Sequence, residues 1–414
     1  MEEKNSEKKE RKMRDSGIPW IGEVPEGWEF SKIKYHCTMK SGDNITALDI
    51  SDNGEYPVYG GNGLRGFYKI YNKNGNHILI GRQGALAGNV HLVNGKFWAT
   101  DHAVIVTLKN DVFINYFFRM LESMNLNQYA FDTAAQPGLS VSRIMNLNIV
   151  LPNLKEQHRI ADFLGSKCSE IDTLIEHLRA RMESAKEYKK AVITEAVTKG
   201  LDKDAKMKDS GVEWIGEIPD GWKVVRFKHI ASIKSNLVQP DKYMKYPQIA
   251  PDNIEKDTGR LLSHQTVEES GVISGNHLFY RGQILYSKIR PNLNKLTVAP
   301  FDGLCSADMY PIESKLPTLF MVYSMLSTYF VSQVSLIIQD RVKMPKINQE
   351  ELGEIKVAVP SQQEMLTIAD YLDSKCSEID ALLQNYEYQI ATLEEYKKSL
   401  IYEYVTGKKE VPEA

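Results

Sequence analysis

The sequence predicts an α+β protein with two α+β modules, separated by two long helices that form an antiparallel coiled coil with an internal pseudo-twofold repeat. Three observations predict this. Residues 13–28, MRDSGIPWIGEVPEGW, return at 207–222 as MKDSGVEWIGEIPDGW, with eleven of sixteen positions identical at an offset of 194. Residues 160–172, IADFLGSKCSEID, return at 368–380 as IADYLDSKCSEID, at an offset of 208. Each second echo opens a long helical pattern with an apolar stripe of period seven. The segments between the echoes barely resemble each other. Matched frames around unmatched inserts suggest one scaffold presenting two different recognition surfaces.

The elements follow in order. Residues 1–12, MEEKNSEKKERK, are charged and lack an apolar run, so they read as a disordered tail rather than a secretory signal. Residues 13–151 form the first module. Short apolar runs such as His77–Ile80 and Ala103–Val106 lie between Gly and Asn turns and read as strands. Val112–Met124 has helical spacing and is expected to pack on the sheet. Residues 152–201 form the first long helix, and residues 206–360 a second module of the same plan. Its strands include Gln283–Tyr286 and Leu296–Ala299, followed by a helix over Thr318–Ser332. Residues 361–408 form the second long helix.

Both long helices begin with a capping-box pattern after a proline, Asn153 with Glu156 and Ser361 with Glu364. The first stripe is Leu164, Ile171, Leu178, Ala185 and Val192, with a companion row of Ala161, Cys168, Ile175 and Met182. The second is Leu372, Ile379, Tyr386, Leu393 and Leu400, with Ala369, Cys376, Leu383 and Ile390. Gly200 and Gly407 close the helices. At ~1.5 Å per residue each spans about 65–70 Å.

Composition excludes several classes. No apolar run has the length that spans a bilayer. The four cysteines, Cys37, Cys168, Cys305 and Cys376, form no CxxC pair and no His/Cys cluster, so no metal site is expected. Net charge is −3, yet two windows lack acids entirely. Between Glu55 and Asp101 stand Arg65, Lys69, Lys73, Arg82 and Lys96; between Glu269 and Asp302 stand Arg281, Lys288, Arg290 and Lys295. Phosphate binding needs such a positive local field, whatever the global sum.

Together these residues resemble the DNA-specificity (S) subunit of type I restriction–modification systems, over roughly residues 13–407. The resemblance is carried by the paired openings Gly17–Trp28 and Gly211–Trp222, by Tyr56–Gly63 (YPVYGGNG) and Ile80–Gly84 (IGRQG), by Ala134–Ser140 (AAQPGLS), and by the Ile-Ala-Asp-(Phe/Tyr)-Leu helices. Leu285–Pro291 (LYSKIRP) resembles the corresponding strand of another target-recognition class. The resemblance implies two target-recognition domains, each reading one half of a split site in double-stranded DNA. It implies helices that space the halves and dock two methyltransferase subunits, with restriction/translocase subunits in the full complex. It implies a cytoplasmic, non-catalytic chain with no cofactor of its own; S-adenosylmethionine, ATP and Mg belong to partner subunits. Because the second module lacks the glycine motifs of the first, the half-sites should differ.

Arg suits guanine in the major groove, and Asn or Gln suits adenine. The candidate DNA-binding residues of the first module are therefore Asn62, Arg65, Arg82, Gln83 and Gln136, beside glycines that let backbone approach DNA. Those of the second are Lys288, Arg290, Asn292, Asn294 and Lys295, with Arg341 and Lys343 on a loop suited to phosphate contacts. Trp20, Trp28, Trp214 and Trp222 sit on matched frames and read as structural anchors; the doubled Glu187–Lys190 and Glu395–Lys398 are candidates for subunit docking.

Rival readings find little chemistry. No Walker A sequence and no Asn/Asp-Pro-Pro-Tyr/Phe run is present. Asp340 with Glu354 and Lys356 only caricatures a nuclease triad, and His102 beside Asp101 suits a turn better than a catalytic dyad. A protein-only coiled-coil scaffold explains the helices but not the two acid-free windows.

Overall fold

The computed structural model describes residues 11–84, 87–109, 111–131, 138–341 and 343–412. It divides into two compact units, Met1–Leu178 with Tyr388–Ala414, and Arg179–Glu387. Most of the charged tail, residues 1–10, lies outside the described residues. Arg11 pairs with Glu156 and lies over the Trp28 ring.

The first unit holds two four-stranded sheets. One orders Cys37–Ser41, Ala103–Leu108, His77–Gly81 and Val90–Val93, all antiparallel. The other orders Gly63–Tyr68, Tyr56–Gly60, Lys96–Ala99 and Lys73–Asn74, with Tyr56–Gly60 parallel to Lys96–Ala99. Strict alternation along the first sheet decides what packs where. Ile78, Ile80, Val104 and Val106 face a core shared with the helix Ile114–Ser123 and the long helices, whereas Leu79 and Ile105 face Phe97 and Ala99 of the other sheet.

The second unit repeats this topology with a different sequence and one added edge strand, Leu237–Val238. One sheet orders Ala231–Ile233, Met309–Ser314, Ile284–Ser287 and Leu296–Val298. The other orders Leu237–Val238, Asn276–Phe279, Gly303–Cys305, Pro247–Ile249 and Gln265–Thr266, again with one parallel pair, Pro247–Ile249 with Gly303–Cys305. Ile284, Tyr286 and Ile312 face the main core, and Leu285 and Met309 the smaller one. The helix expected over Thr318–Ser332 is two helices, Thr318–Leu326 and Thr328–Ile338. Ser327 between them is extended, and the freed Thr328 N–H donates to Thr194 Oγ1 at 2.9 Å. No single helix among the described residues is long and apolar enough to cross a membrane.

The long helices run Leu154–Lys199 and Gln362–Val405. They pair antiparallel within each unit. In the first unit Phe163 meets Tyr404, and Asp172 meets Lys397 at 2.7 Å. In the second, Lys189 meets Asp380 at 2.6 Å. The predicted stripe is buried at Leu164, Ile171 and Val192 and at Leu372, Ile379 and Leu400. The companion row, continued one heptad further, reaches Lys189 and Lys397. Lysine in a core row is costly unless paired, and a single polar pair there fixes the register of two helices. Here the same pair occurs twice, each time to the aspartate that follows a buried isoleucine, Ile171 or Ile379.

The capping boxes are made by one half. Asn153 Oδ1 accepts from Glu156 N–H and Ser361 Oγ from Glu364 N–H, but the two carboxylates serve elsewhere. Glu364 accepts from Trp222 Nε1 at 3.1 Å, while Glu156 takes Arg11 and leaves the buried Trp28 Nε1 without a partner among the described residues. Position 205, which matches Arg11 in the second frame, is alanine. Trp28 and Trp222 are buried anchors as expected; Trp214 is exposed.

Candidate nucleic-acid interface

In the first unit the turn after strand Tyr56–Gly60 carries Gly61, Asn62 and Gly63. Gly63 has φ +89°, where a side chain is strained. A Cβ on Gly61 would lie 3.1 Å from His102 O and 3.7 Å from Arg82 N, so the turn presses on the end of strand His77–Gly81. The two glycine motifs, twenty residues apart in sequence, thus meet at one edge. Arg82 N–H donates to His102 O at 2.9 Å, and Leu139 N–H donates to Arg82 O at 2.9 Å. An isolated bridge joins Gln83 to Gly138.

Asn62, Arg65, Arg82 and Gln83 are exposed there. Asn62 Oδ1 accepts from Asn89 Nδ2 at 3.4 Å, and Arg82 Nη1 donates to Ser41 Oγ at 3.2 Å. Among the described residues none of Arg65, Lys69, Lys73, Arg82 and Lys96 forms an ion pair. Carboxylates do approach the window, Asp43 accepting from Asn72 Nδ2 at 2.8 Å and Glu55 from Tyr56 Oη, but among the described residues they do not neutralise these five cations. His91 lies against Gly63, and burial holds its imidazole below the usual histidine range. Gln136 lies outside the described residues.

The second unit builds the same junction from other residues. Ile347 N–H donates to Lys288 O at 3.0 Å, Arg290 N–H donates to Pro345 O at 2.7 Å, and a bridge joins Ile289 to Lys346. Residues 288–290 at the strand end and residues 345–347 are thus brought together. Arg290, Asn292 and Lys343 are exposed. Lys288 is half-buried, its ammonium 5.3 Å from the centre of the Tyr310 ring.

Three candidates here are engaged by the fold. Asn294 is corrected: it is buried, its Nδ2 donates to Met325 O at 3.1 Å, and no amide edge remains for a base. Lys295 Nζ donates to Pro251 O at 2.8 Å and lies 3.5 Å from Asp252. Arg341 grips Glu351 at 2.5 Å, and its hydrogen bond holds that carboxyl below the usual carboxylate range. Arg341 also donates to Lys346 O, so it buttresses its loop. A cleft of about 410 Å³ beside Lys190, Asp257, Arg260 and Asp380 mixes both signs of charge, which does not suit phosphate.

Sequence reasoning missed Asn89 and Ser41, which hold Asn62 and Arg82, and Met344, exposed at the tip of the second junction. Only Asn89 carried a signal, since it follows Gly88 within the acid-free window.

Residues 25–183 match the profile of the type I restriction modification DNA specificity domain. The specificity subunit of the type I restriction enzyme EcoDI from Escherichia coli is 34% identical over 267 residues, 60% of this chain and 60% of its own length. That of EcoprrI, also from Escherichia coli, is 41% identical over 152 residues, 36% of this chain and 38% of its own length. The chain thus spans less than two thirds of either relative in the matched region. The MjaVIII specificity subunit of Methanocaldococcus jannaschii is 27% identical over 423 residues, 93% of each chain. Among solved structures, one of a type I restriction–modification system described for its complex assembly and conformational transition superposes with a TM-score of 0.64. That match covers 93% of this chain and 99% of the other at 15% identity, and it shows the fold.

Proposed function

We propose that the chain, which matches the type I restriction modification DNA specificity domain over residues 25–183 and resembles specificity subunits over most of its length, recognises DNA for a type I restriction–modification complex, each module reading one half of an asymmetric bipartite site. The observation that carries this reading is the repeated junction. Leu139 N–H to Arg82 O in one module and Ile347 N–H to Lys288 O in the other put a basic residue at the same place in the topology. Around that place the side chains differ: Asn62, Arg65 and Gln83 in one, Arg290, Asn292 and Lys343 in the other. One fold with two sets of donors suits two different half-sites.

In this reading the long helices space the halves and dock two methyltransferase subunits, with restriction/translocase subunits joining the full complex in the cytoplasm. The chain itself supplies no catalysis; S-adenosylmethionine, ATP and Mg act on the partner subunits. Lys343 and Lys69 contribute phosphate contacts, which position the protein without reading sequence.

Methylome sequencing tests the proposal. Cells carrying this chain with its methyltransferase should show a split, asymmetric adenine-methylation motif that vanishes when this chain alone is removed. Exchanging residues 20–150 for the module of a relative should change one half of that motif. An unchanged methylome despite confirmed expression and partner binding, or a change in both halves, sinks the reading.

A further inference from the structure

We propose that Arg290 and Met344 form a reading pair in the second module, in which Met344 contacts a thymine methyl beside a guanine taken by Arg290. The inference rests on the DNA-reading function proposed above and gives it chemical content.

The starting observation is backbone strain. Among the described residues, five that are not glycine have positive φ: Asn125, Asp257, Arg290, Asn294 and Met344. Asn and Asp tolerate this region because their short polar chains bond locally. Arg and Met have no such excuse, yet Arg290 sits at φ 43° and Met344 at φ 46°. The two lie on different loops, and those loops touch where Ile289 bridges Lys346 and Arg290 N–H meets Pro345 O at 2.7 Å. Strain in two neighbouring non-glycine residues persists only where the surroundings impose it. The clamps are visible: Arg341 on Glu351, and Lys346 on Asp308 at 3.2 Å.

What the clamps present is unusual. Met344 is 53% exposed, a long apolar chain between Lys343 and Pro345 in sequence, and the Pro345 carbonyl accepts from Arg290 N–H at 2.7 Å. Solvent gives it no reason to be there. Arg290 is exposed and forms no ion pair among the described residues. In the major groove, guanine offers O6 and N7 to a guanidinium fork, and thymine offers a methyl group to an apolar chain. A thioether is flexible enough to follow that methyl. Lys343 next to it is exposed and forms no ion pair among the described residues, which suits a phosphate contact.

The test uses the full chain, with its methyltransferase partners where binding requires them, on a duplex carrying its methylated motif. The second module's half-site is the one that changes when residues 206–360 are exchanged. Each thymine of that half is replaced in turn by deoxyuridine, which lacks only the methyl. The wild type should lose roughly tenfold in affinity at one thymine next to an essential guanine. Met344→Ala should lose a similar factor on normal DNA and become indifferent to deoxyuridine at that position. Met344→Gln, which keeps the chain length, should behave as Met344→Ala; Arg290→Ala should relax the requirement for the neighbouring guanine. If both Met344 variants bind like wild type and stay as sensitive to every deoxyuridine, the pair is wrong while DNA reading stands. Loss of stacking at a base step instead of coupling to one methyl, seen with 2-aminopurine, would also overturn it in favour of a wedge. If no assembly containing this chain binds DNA selectively, the underlying reading fails.

Discussion

The two modules reach one topology by different routes. In the first, glycines do the work: Gly61 lets the Asn62 turn press on Arg82, and the cations around it have no carboxylate partners among the described residues. In the second, ion pairs do it: Arg341, Lys346 and Lys295 are spent on Glu351, Asp308 and Asp252, and strained Arg290 and Met344 stand between them. The difference teaches that the junction proposed to read DNA is specified by where strands end, and that side chains there are free to diverge. The helical frames are the opposite case, where side chains repeat and small departures carry information.

The sharpest break between the frames is at the glycines that close the long helices. Gly200 and Gly407 have φ +75° and +73°, so both need the left-handed region. A Cβ on Gly407 would lie 2.5 Å from Pro25 Cδ and 3.0 Å from Trp28 Cη2, whereas on Gly200 the nearest atoms are 3.3 Å away. Gly407→Ala should therefore cost about 3 kcal/mol of stability and Gly200→Ala about 1 kcal/mol. Urea unfolding of the two variants checks it; equal losses would mean that backbone conformation alone matters and the packed proline does not.

The doubled lysine–aspartate pair gives the next effect. Lys189 is more buried than Lys397, with side-chain exposures of 10% and 21%. Asp380→Ala strands the more buried ammonium and should cost about 2 kcal/mol, whereas Asp172→Ala should cost under about 1 kcal/mol. The same urea series measures both. A larger loss at Asp172 would show that the burial of the lysine does not set what its pair contributes.

How far each feature was legible follows from its range. The heptad stripes are local, and Leu164, Ile171, Leu372 and Ile379 are buried as their spacing requires. Lys189 and Lys397 sit in the same rows, but a lysine reads as surface until its aspartate, two hundred residues away, is known. Asn294 stood among cations and read as a base contact; only the fold shows its amide taken by Met325 O. The break at Ser327 depends on Thr194 of another helix, which no window of sequence includes. Glu156 and Glu364 matched the capping pattern, yet whether their carboxylates cap or reach Arg11 or Trp222 depends on the opening frames.

A pH titration separates the modules most finely. Each holds a histidine beside its loop junction whose imidazole burial keeps below the usual range, His91 against Gly63 and His277 near Lys288. Their second influences oppose: Glu122 favours protonation of His91, whereas Lys288 disfavours it at His277. A histidine kept neutral in the fold takes its proton first in the unfolded chain. Between the two values the unfolded state binds more protons, so stability falls as pH drops through 6.5, the ordinary value, and the loss stops growing once the folded imidazole also protonates. His277→Asn should flatten the difference in urea midpoint between pH 7.5 and 5.5 more than His91→Asn does. Lys288→Met should shrink the contribution of His277, and Glu122→Gln should enlarge that of His91. Identical slopes for all four variants would mean that the two histidines do not sense these neighbours, and the electrostatic contrast between the modules would then rest on their exposed cations alone.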